Sequence, residues 1–327
     1  MSPVSIFINP RTGILRGGWR VLFFVFIMLL PYLLLRRLSG GSRPAEAAAP
    51  AIILDFSPEA ILGLVIEVVW LLFVSWLCLK ILERLDLRTL GVTFYRGWWR
   101  DVWLGCAIAA AMVIIMVMIQ ILGGGTRLML SPMLWKSADG SRVIDWIGLL
   151  LLLGRVGRAL LFFIFAAAFE ELLCRGYPFQ TLLRSASAIV PILLLSLIFG
   201  LLHLENPNAT PFGITNTILA GVWLSIAYLK TRGLWFPTAL HFTWNWVMGV
   251  FFGLPVSGIK TSAGSSVFLG TSESPVWLTG GSYGCEGGAA ATVVLLIATA
   301  IIWRARWLKS PEPESEGLTN PESQIET

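Results

Sequence analysis

The chain has almost no histidine and little charge. Only His203 and His241 occur in 327 residues, and Asp, Glu, Lys and Arg together make up 13%. A soluble domain carries about 25% charged residues, so a water-exposed globular surface is excluded over most of the length. The His-Glu-x-x-His pattern of helical zinc peptidases is absent. The four cysteines, Cys78, Cys106, Cys174 and Cys285, have no paired spacing, which argues against a disulfide or zinc-ribbon framework. No internal repeat and no pair of interrupted spans marks an inverted-repeat transporter.

Apolar sequence fills the space that charge leaves. Hydrophobic residues account for 56% of the chain, and the mean hydropathy is +0.77. A membrane-spanning helix needs about 20 apolar residues in succession. Such runs lie near 19–38, 59–82, 102–123, 147–174, 187–204, 212–230, 234–254 and 288–308. They predict an all-α, polytopic membrane protein with about eight transmembrane helices. Trp19, Trp98, Trp99, Trp103, Trp146, Trp235 and Trp307 cluster at run ends, as an aromatic belt requires.

With eight spans both termini share one side. Lys and Arg total 15 on the segments that would then face inward and seven on those facing outward, with Arg155 and Arg158 inside a run. The positive-inside rule places both termini in the cytoplasm of a cell (inner) membrane. This bias accounts for most of the +5 net charge, so no nucleic-acid partner is implied. Arg36 and Arg37 close the first run well before the small-residue stretch at 45–47, so that run reads as a retained anchor rather than a cleaved signal.

The organisation expected is a cytoplasmic start at 1–18, three helices with loops over 19–144 and a membrane core over 145–255. An extracytoplasmic loop with the last helix would occupy 256–309, and a disordered acidic tail 310–327. Within this plan, Ser39–Pro50 is an outer loop. The Gly- and Ser-rich stretch from Ser257 to Gly287 is exposed and mobile.

Inside the apolar core stands Ala166-Ala-Ala-Phe-Glu-Glu-Leu-Leu-Cys-Arg175. A charge in hydrocarbon costs roughly 2.5–3.5 kcal/mol on insertion scales, so an acid pair persists there where it lines a cavity or binds something. Glu171 and Arg175 are four apart and share a helix face, so the guanidinium pairs the second acid. Glu170 points about 100° away and lacks that partner, which nominates it as a general base. Phe199-Gly-Leu-Leu-His203 sets an aromatic ring one turn before the first imidazole. His241-Phe-Thr-Trp-Asn245 sets an imidazole and a carboxamide on one face. These groups can hold a water or an oxyanion. The set suits hydrolysis by water and needs no Ser or Cys nucleophile. Glu67, alone in the second run, and Arg155 and Arg158 read first as structural residues.

Glu-Glu-x-x-x-Arg, Phe-x-x-x-His and His-x-x-x-Asn, in this order on successive runs, resemble the CAAX-protease and bacteriocin-processing (CPBP, Abi-like) family of intramembrane endopeptidases. The resemblance covers roughly residues 145–255. It implies that Glu170 activates water with help from His203, that His241 and Asn245 hold the oxyanion, and that Glu171, Arg175 and Phe199 support the site. It implies a peptidase of glutamate or metallo type. Glu170, His203 and His241 are the candidate ligands if a divalent metal such as zinc takes part. The partners implied are the bilayer and a membrane-associated peptide or protein substrate, prenylated or not. A non-catalytic scaffold or immunity protein that keeps the motif, or an ion or metal transporter, is the alternative.

One geometric demand follows. Antiparallel helices ending at 174 and starting at 187 would hold Glu170 and His203 about 24 Å apart, taking ~16 residues at 1.5 Å each. A single site therefore requires the fourth helix to start late, after Gly154 or Gly157, and to run on toward Arg184 with a bend near Tyr177, where Pro178 disturbs it.

Overall fold

A computed structural model describes residues 4–10, 12–38, 53–54, 56–138 and 141–308. The expected outer loop at 39–50, the small-residue stretch at 45–47 and the acidic tail lie outside the described residues. Helices occupy all eight apolar runs: α1 (Gly17–Leu38), α2 (Pro58–Cys78), α3 (Trp98–Leu122), α4 (Trp146–Arg175) with its continuation α5 (Tyr177–Leu183), α6 (Ile189–Leu201), α7 (Pro211–Thr231), α8 (Trp235–Trp246) and α9 (Ala289–Arg304). The protein is a mostly helical, polytopic membrane protein. Five of its helical stretches are long and apolar enough to cross a bilayer, among them Trp146–Leu183. α6, α8 and α9 are shorter, so length and composition give five crossings where the hydropathy runs suggest eight.

Local chemistry fixes the helix ends. Ser57 accepts from Ala60 N at 3.2 Å just before Pro58, and Thr210 accepts from Gly213 N at 3.0 Å just before Pro211. A side-chain cap followed by proline at the first helical position is a strong start signal. Asp145 caps α4 through Ile147 N at 3.2 Å. This cap starts α4 at Trp146, not after Gly154 or Gly157 as the sequence suggested. Both glycines are exposed on the continuous helix with no neighbour near the position of a Cβ. α4 breaks at Gly176, whose ψ of −129° departs from helical geometry, and Pro178 follows in the first turn of α5. The bend thus falls one residue before Tyr177.

Contacts between the connections divide them into two ends. At one end Arg20 and Arg184 meet Glu83, Leu234 N donates to Gly91 O, and Arg100 donates to Trp307 O. This end carries both ends of the described chain. At the other end Thr126–Leu130 pairs antiparallel with Phe268–Ser272, and Ile53–Leu54 pairs parallel with Lys260–Thr261. A hairpin of Trp135–Ala138 and Ser141–Ile144 stands beside them. The Gly- and Ser-rich stretch is packed rather than exposed over much of its length, for Tyr283 and Cys285 are fully buried in it.

Two apolar clusters fill the bundle. One gathers Met116, Trp223, Leu240, Trp244, Val256 and Cys285; the other gathers Phe24, Leu71, Leu79, Tyr177, Phe179 and Tyr228. Polar residues of α4 lie between them. Large apolar side chains such as Leu62, Ile66, Phe73, Leu193, Ile297 and Ile301 are exposed on the outer helix faces, as contact with lipid hydrocarbon requires.

Candidate active site

Glu171 and Arg175 are completely buried and four residues apart on α4, with Arg175 Nη1 3.0 Å from Glu171 Oε1. Arg175 Nη2 also donates to Gly221 O of α7 at 2.8 Å. α6 and α7 come close together at Gly221, where a Cβ would sit 2.8 Å from the Ser196 backbone. The guanidinium therefore fastens α4 to a tight crossing of its neighbours.

The same Glu171 Oε1 lies 2.8 Å from His241 Nδ1. One carboxylate oxygen thus holds both an arginine and an imidazole, and it fixes which ring nitrogen of His241 faces Glu170. His241 Nε2 is 3.7 Å from Glu170 Oε2, too far for a direct hydrogen bond. Glu170 Oε2 and Glu171 Oε2 are both buried and have no protein hydrogen-bond partner. His203 follows the end of α6 in a turn, with Nδ1 2.7 Å from Phe199 O. Its ring packs on Phe199 with 4.9 Å between centroids, and the Arg175 guanidinium carbon lies 5.0 Å from the centre of that Phe199 ring.

A cavity of about 360 Å³ is lined by Glu170, His203, His241 and Asn245 together. The structure thus gathers all four residues proposed for chemistry in one space, with Phe199 in its wall and Glu171 and Arg175 behind it. α4 and α6 reach a common level because the chain overshoots. From Glu170 it runs on to Leu183, then returns from Ile189 to His203, roughly 20 Å each way at 1.5 Å per residue. The extension through α5 supplies what the late start of α4 was expected to supply.

Three residues read as structural fall outside the cavity. Glu67 is exposed on α2. Arg155 donates to Gly264 O at 3.1 Å and ties down the strand-bearing end, while Arg158 is exposed on α4. Three cavity residues escaped the sequence reading. Glu286 accepts from Trp244 Nε1 at 2.9 Å, from Ser257 N at 2.6 Å and from Ser257 Oγ at 2.9 Å; Asn206 Nδ2 donates to Ser257 O at 3.0 Å. A single acid in a Gly- and Ser-rich stretch carries no periodic signal. Asn206, three residues after His203, was the one hint.

A metal does not fit the candidate ligand set. Among the described residues no three His, Cys, Asp or Glu side chains converge as a cation site requires. Binding Nδ1 and freeing Nε2 would suit either ligation or proton transfer, but Glu170, His203 and His241 do not close into a three-donor cage. No chemical step is routed through a metal.

Residues 152–247, 96 of the 327, match the family model described as type II CAAX prenyl endopeptidase, Rce1-like. The matched stretch runs from within α4 to the end of α8 and includes Glu170, His203, His241 and Asn245. It bears out the family resemblance read from the three motifs. Comparison with curated proteins found no match.

Proposed function

We propose, from the membership of this central segment in the CAAX-protease family, that the protein is an intramembrane peptidase that hydrolyses a peptide bond with a water activated by Glu170. The observation that carries the reading is the unpartnered Glu170 Oε2, 3.7 Å from His241 Nε2 in a cavity shared with His203 and Asn245. That spacing suits one water held between carboxylate and ring. Glu170 takes a proton from the water as its oxygen attacks the carbonyl carbon. The carbonyl oxygen gains the negative charge, Asn245 Nδ2 and an imidazole N–H donate to it, and the proton on Glu170 passes to the departing amine nitrogen as the C–N bond breaks.

The imidazoles have separate tasks. His203 spends its Nδ1–H on Phe199 O, which leaves Nε2 as an acceptor able to orient the water. His241 spends its Nδ1–H on Glu171, so it donates to an oxyanion through Nε2 when the ring carries both protons. Glu171 and Arg175 are positioning residues, acting through His241 and through the α4–α7 contact. In this reading all eight helices alternate across the cell membrane, and both termini are cytoplasmic.

The test is cleavage of membrane-spanning peptides in detergent by the wild type and by Glu170→Ala. Loss of cleavage in a variant that still folds is expected, because the group that accepts the water proton is gone. Full turnover by Glu170→Ala would overturn the assignment.

A further inference from the structure

We propose that Glu286 is a positioning residue of this site. Its carboxylate ties the turn that carries His203 to the stretch of α8 that carries His241 and Asn245, and so sets the two halves of the catalytic group against each other. The proposal rests on the peptidase reading for what turnover measures, and on hydrogen bonds alone for the tie.

Glu286 lies outside residues 152–247, so the family match assigns it no role. It stands in the connection between α8 and α9, yet it borders the cavity with Asn206, Trp244 and Ser257. Its backbone is fastened first. Asn216 of α7 donates through Nδ2 to Glu286 O at 2.7 Å and to Gly288 O at 3.0 Å, and Thr292 of α9 donates to Asn216 Oδ1 at 2.7 Å. The side chain thus leaves a point held by two helices.

From that point the carboxylate reaches two ways. Oε1 accepts from Trp244 Nε1 at 2.9 Å. Trp244 is buried, next to Asn245 and three residues after His241 on α8. An indole gripped at its single donor resists rotation of the helix just where both groups face the cavity. Oε2 accepts from Ser257 N at 2.6 Å and from Ser257 Oγ at 2.9 Å. Ser257 sits in the left-handed region at φ +46°, which a serine keeps only where its neighbours hold it. Its carbonyl accepts from Asn206 Nδ2 at 3.0 Å, and Asn206 N donates to His203 O at 3.2 Å. The two connections pack without slack there, for a Cβ on Gly258 would collide with Pro207 O. The chemistry also requires an acid at position 286. Three donors converge on it, and only a carboxylate accepts on both oxygens. A glutamine would turn its NH2 toward either the indole N–H or the Ser257 N–H. A residue that merely braced the fold would change stability and leave each folded molecule fully active.

Having only two histidines makes the full chain its own reporter. Their rings bond to Phe199 O and to Glu171 rather than to Glu286. With ring-¹⁵N histidine as the label, the protein in detergent shows two imidazoles, assigned by the loss of one in His203→Gln. Trp244→Phe keeps an aromatic ring on α8 and removes the indole donor. It should move the His203 signals, and it should move them no further once Glu286→Gln is present. On a membrane peptide, Glu286→Gln should lower turnover per folded molecule roughly tenfold to a hundredfold with KM within about twofold, because misplaced groups fail in the transition state rather than in binding. His203 signals that ignore Trp244→Phe, or that shift equally in both backgrounds, overturn the tie. Wild-type turnover per folded Glu286→Gln molecule leaves Glu286 a brace of the fold, and a rise in KM alone makes it a substrate contact; either result overturns the positioning role. If Glu286→Gln does not fold, Trp244→Phe decides by its His203 signals and its turnover. Signals that move as expected in a protein that cuts no peptide would refute the peptidase reading while leaving the tie standing.

Discussion

Two buried acid sites sit at different heights in this bundle and are built in opposite ways. Glu83, at the terminus-bearing end, is saturated. Its Oε1 accepts from Thr181 at 2.6 Å, and its Oε2 accepts from Arg184 at 2.6 and 3.0 Å and meets Arg20 at 3.0 Å. The carboxylate joins α1, the end of α2 and α5. At the mid-bundle site, two adjacent acids share fewer partners: Glu171 uses one oxygen for both Arg175 and His241, and each acid keeps an oxygen without a donor. Buried polar atoms in native proteins are nearly all satisfied, so an orphan acid oxygen calls for a reason. Glu83 has become a fastener, and its chemistry is spent. Glu170 keeps a free lone pair facing a cavity, which is what a base needs.

The largest effect expected from breaking this contrast is at Glu171. Glu171→Ala leaves Arg175 charged, fully buried and without its carboxylate. Losing one partner of a buried pair costs about 3–5 kcal/mol, so a substantial fall in thermal stability is expected together with loss of turnover as His241 loses its anchor. A Glu171→Ala protein that melts like wild type would mean that Arg175 finds equal solvation elsewhere.

Asn245 sharpens the contrast from the catalytic side. No hydrogen bond to another described residue occupies its amide, and it lines the cavity beside His241. Removing one oxyanion donor costs about 10²–10³ in turnover, so Asn245→Ala should lose that much with little change in melting temperature. Unchanged turnover would remove Asn245 from the oxyanion role.

The smallest expected effect is at the cysteines. Burial, with Glu286 beside it, pushes the Cys285 thiol up to about 12. A raised value keeps the thiol protonated at ordinary pH, and a protonated thiol is a poor nucleophile. Iodoacetamide at pH 8 should therefore modify Cys285 only after denaturation, measured by mass spectrometry, and treated enzyme should keep its activity. Inactivation would point to a thiol step.

Much of this was legible before any coordinates. Each apolar run holds a helix, because lipid tolerates no unpaired backbone, but α5 lies beyond the run that ends at 174. Two adjacent acids in such a run marked the site, since nothing but a cavity or a partner makes them tolerable there. Spacing of four between Glu171 and Arg175 foretold their pairing. The rest depended on distant partners. Glu83 is legible only through Thr181 and Arg184, about a hundred residues on, and Glu286 only through Ser257 and Trp244. The start of α4 was misjudged because a late start was taken as the way to bring Glu170 level with His203, whereas Asp145 caps the helix at Trp146 and the extension through α5 supplies the overlap. Glu171 was read as a partner for Arg175 alone; its hold on His241 joins residues 70 apart, which no helical period encodes.

The most direct test of the contrast pairs two isosteric changes, Glu170→Gln and Glu83→Gln, scored for melting temperature and for turnover per folded molecule on one membrane peptide. Glu170→Gln should melt at or near wild type, since it removes a half-buried charge whose Oε2 has no hydrogen-bond donor, and should lose turnover by the 10²–10⁴-fold expected of a general base. Glu83→Gln should melt well below wild type while its folded fraction keeps near-normal turnover. Wild-type turnover in Glu170→Gln, or a melting temperature unchanged in Glu83→Gln, would contradict the division between a fastening acid and a reactive one.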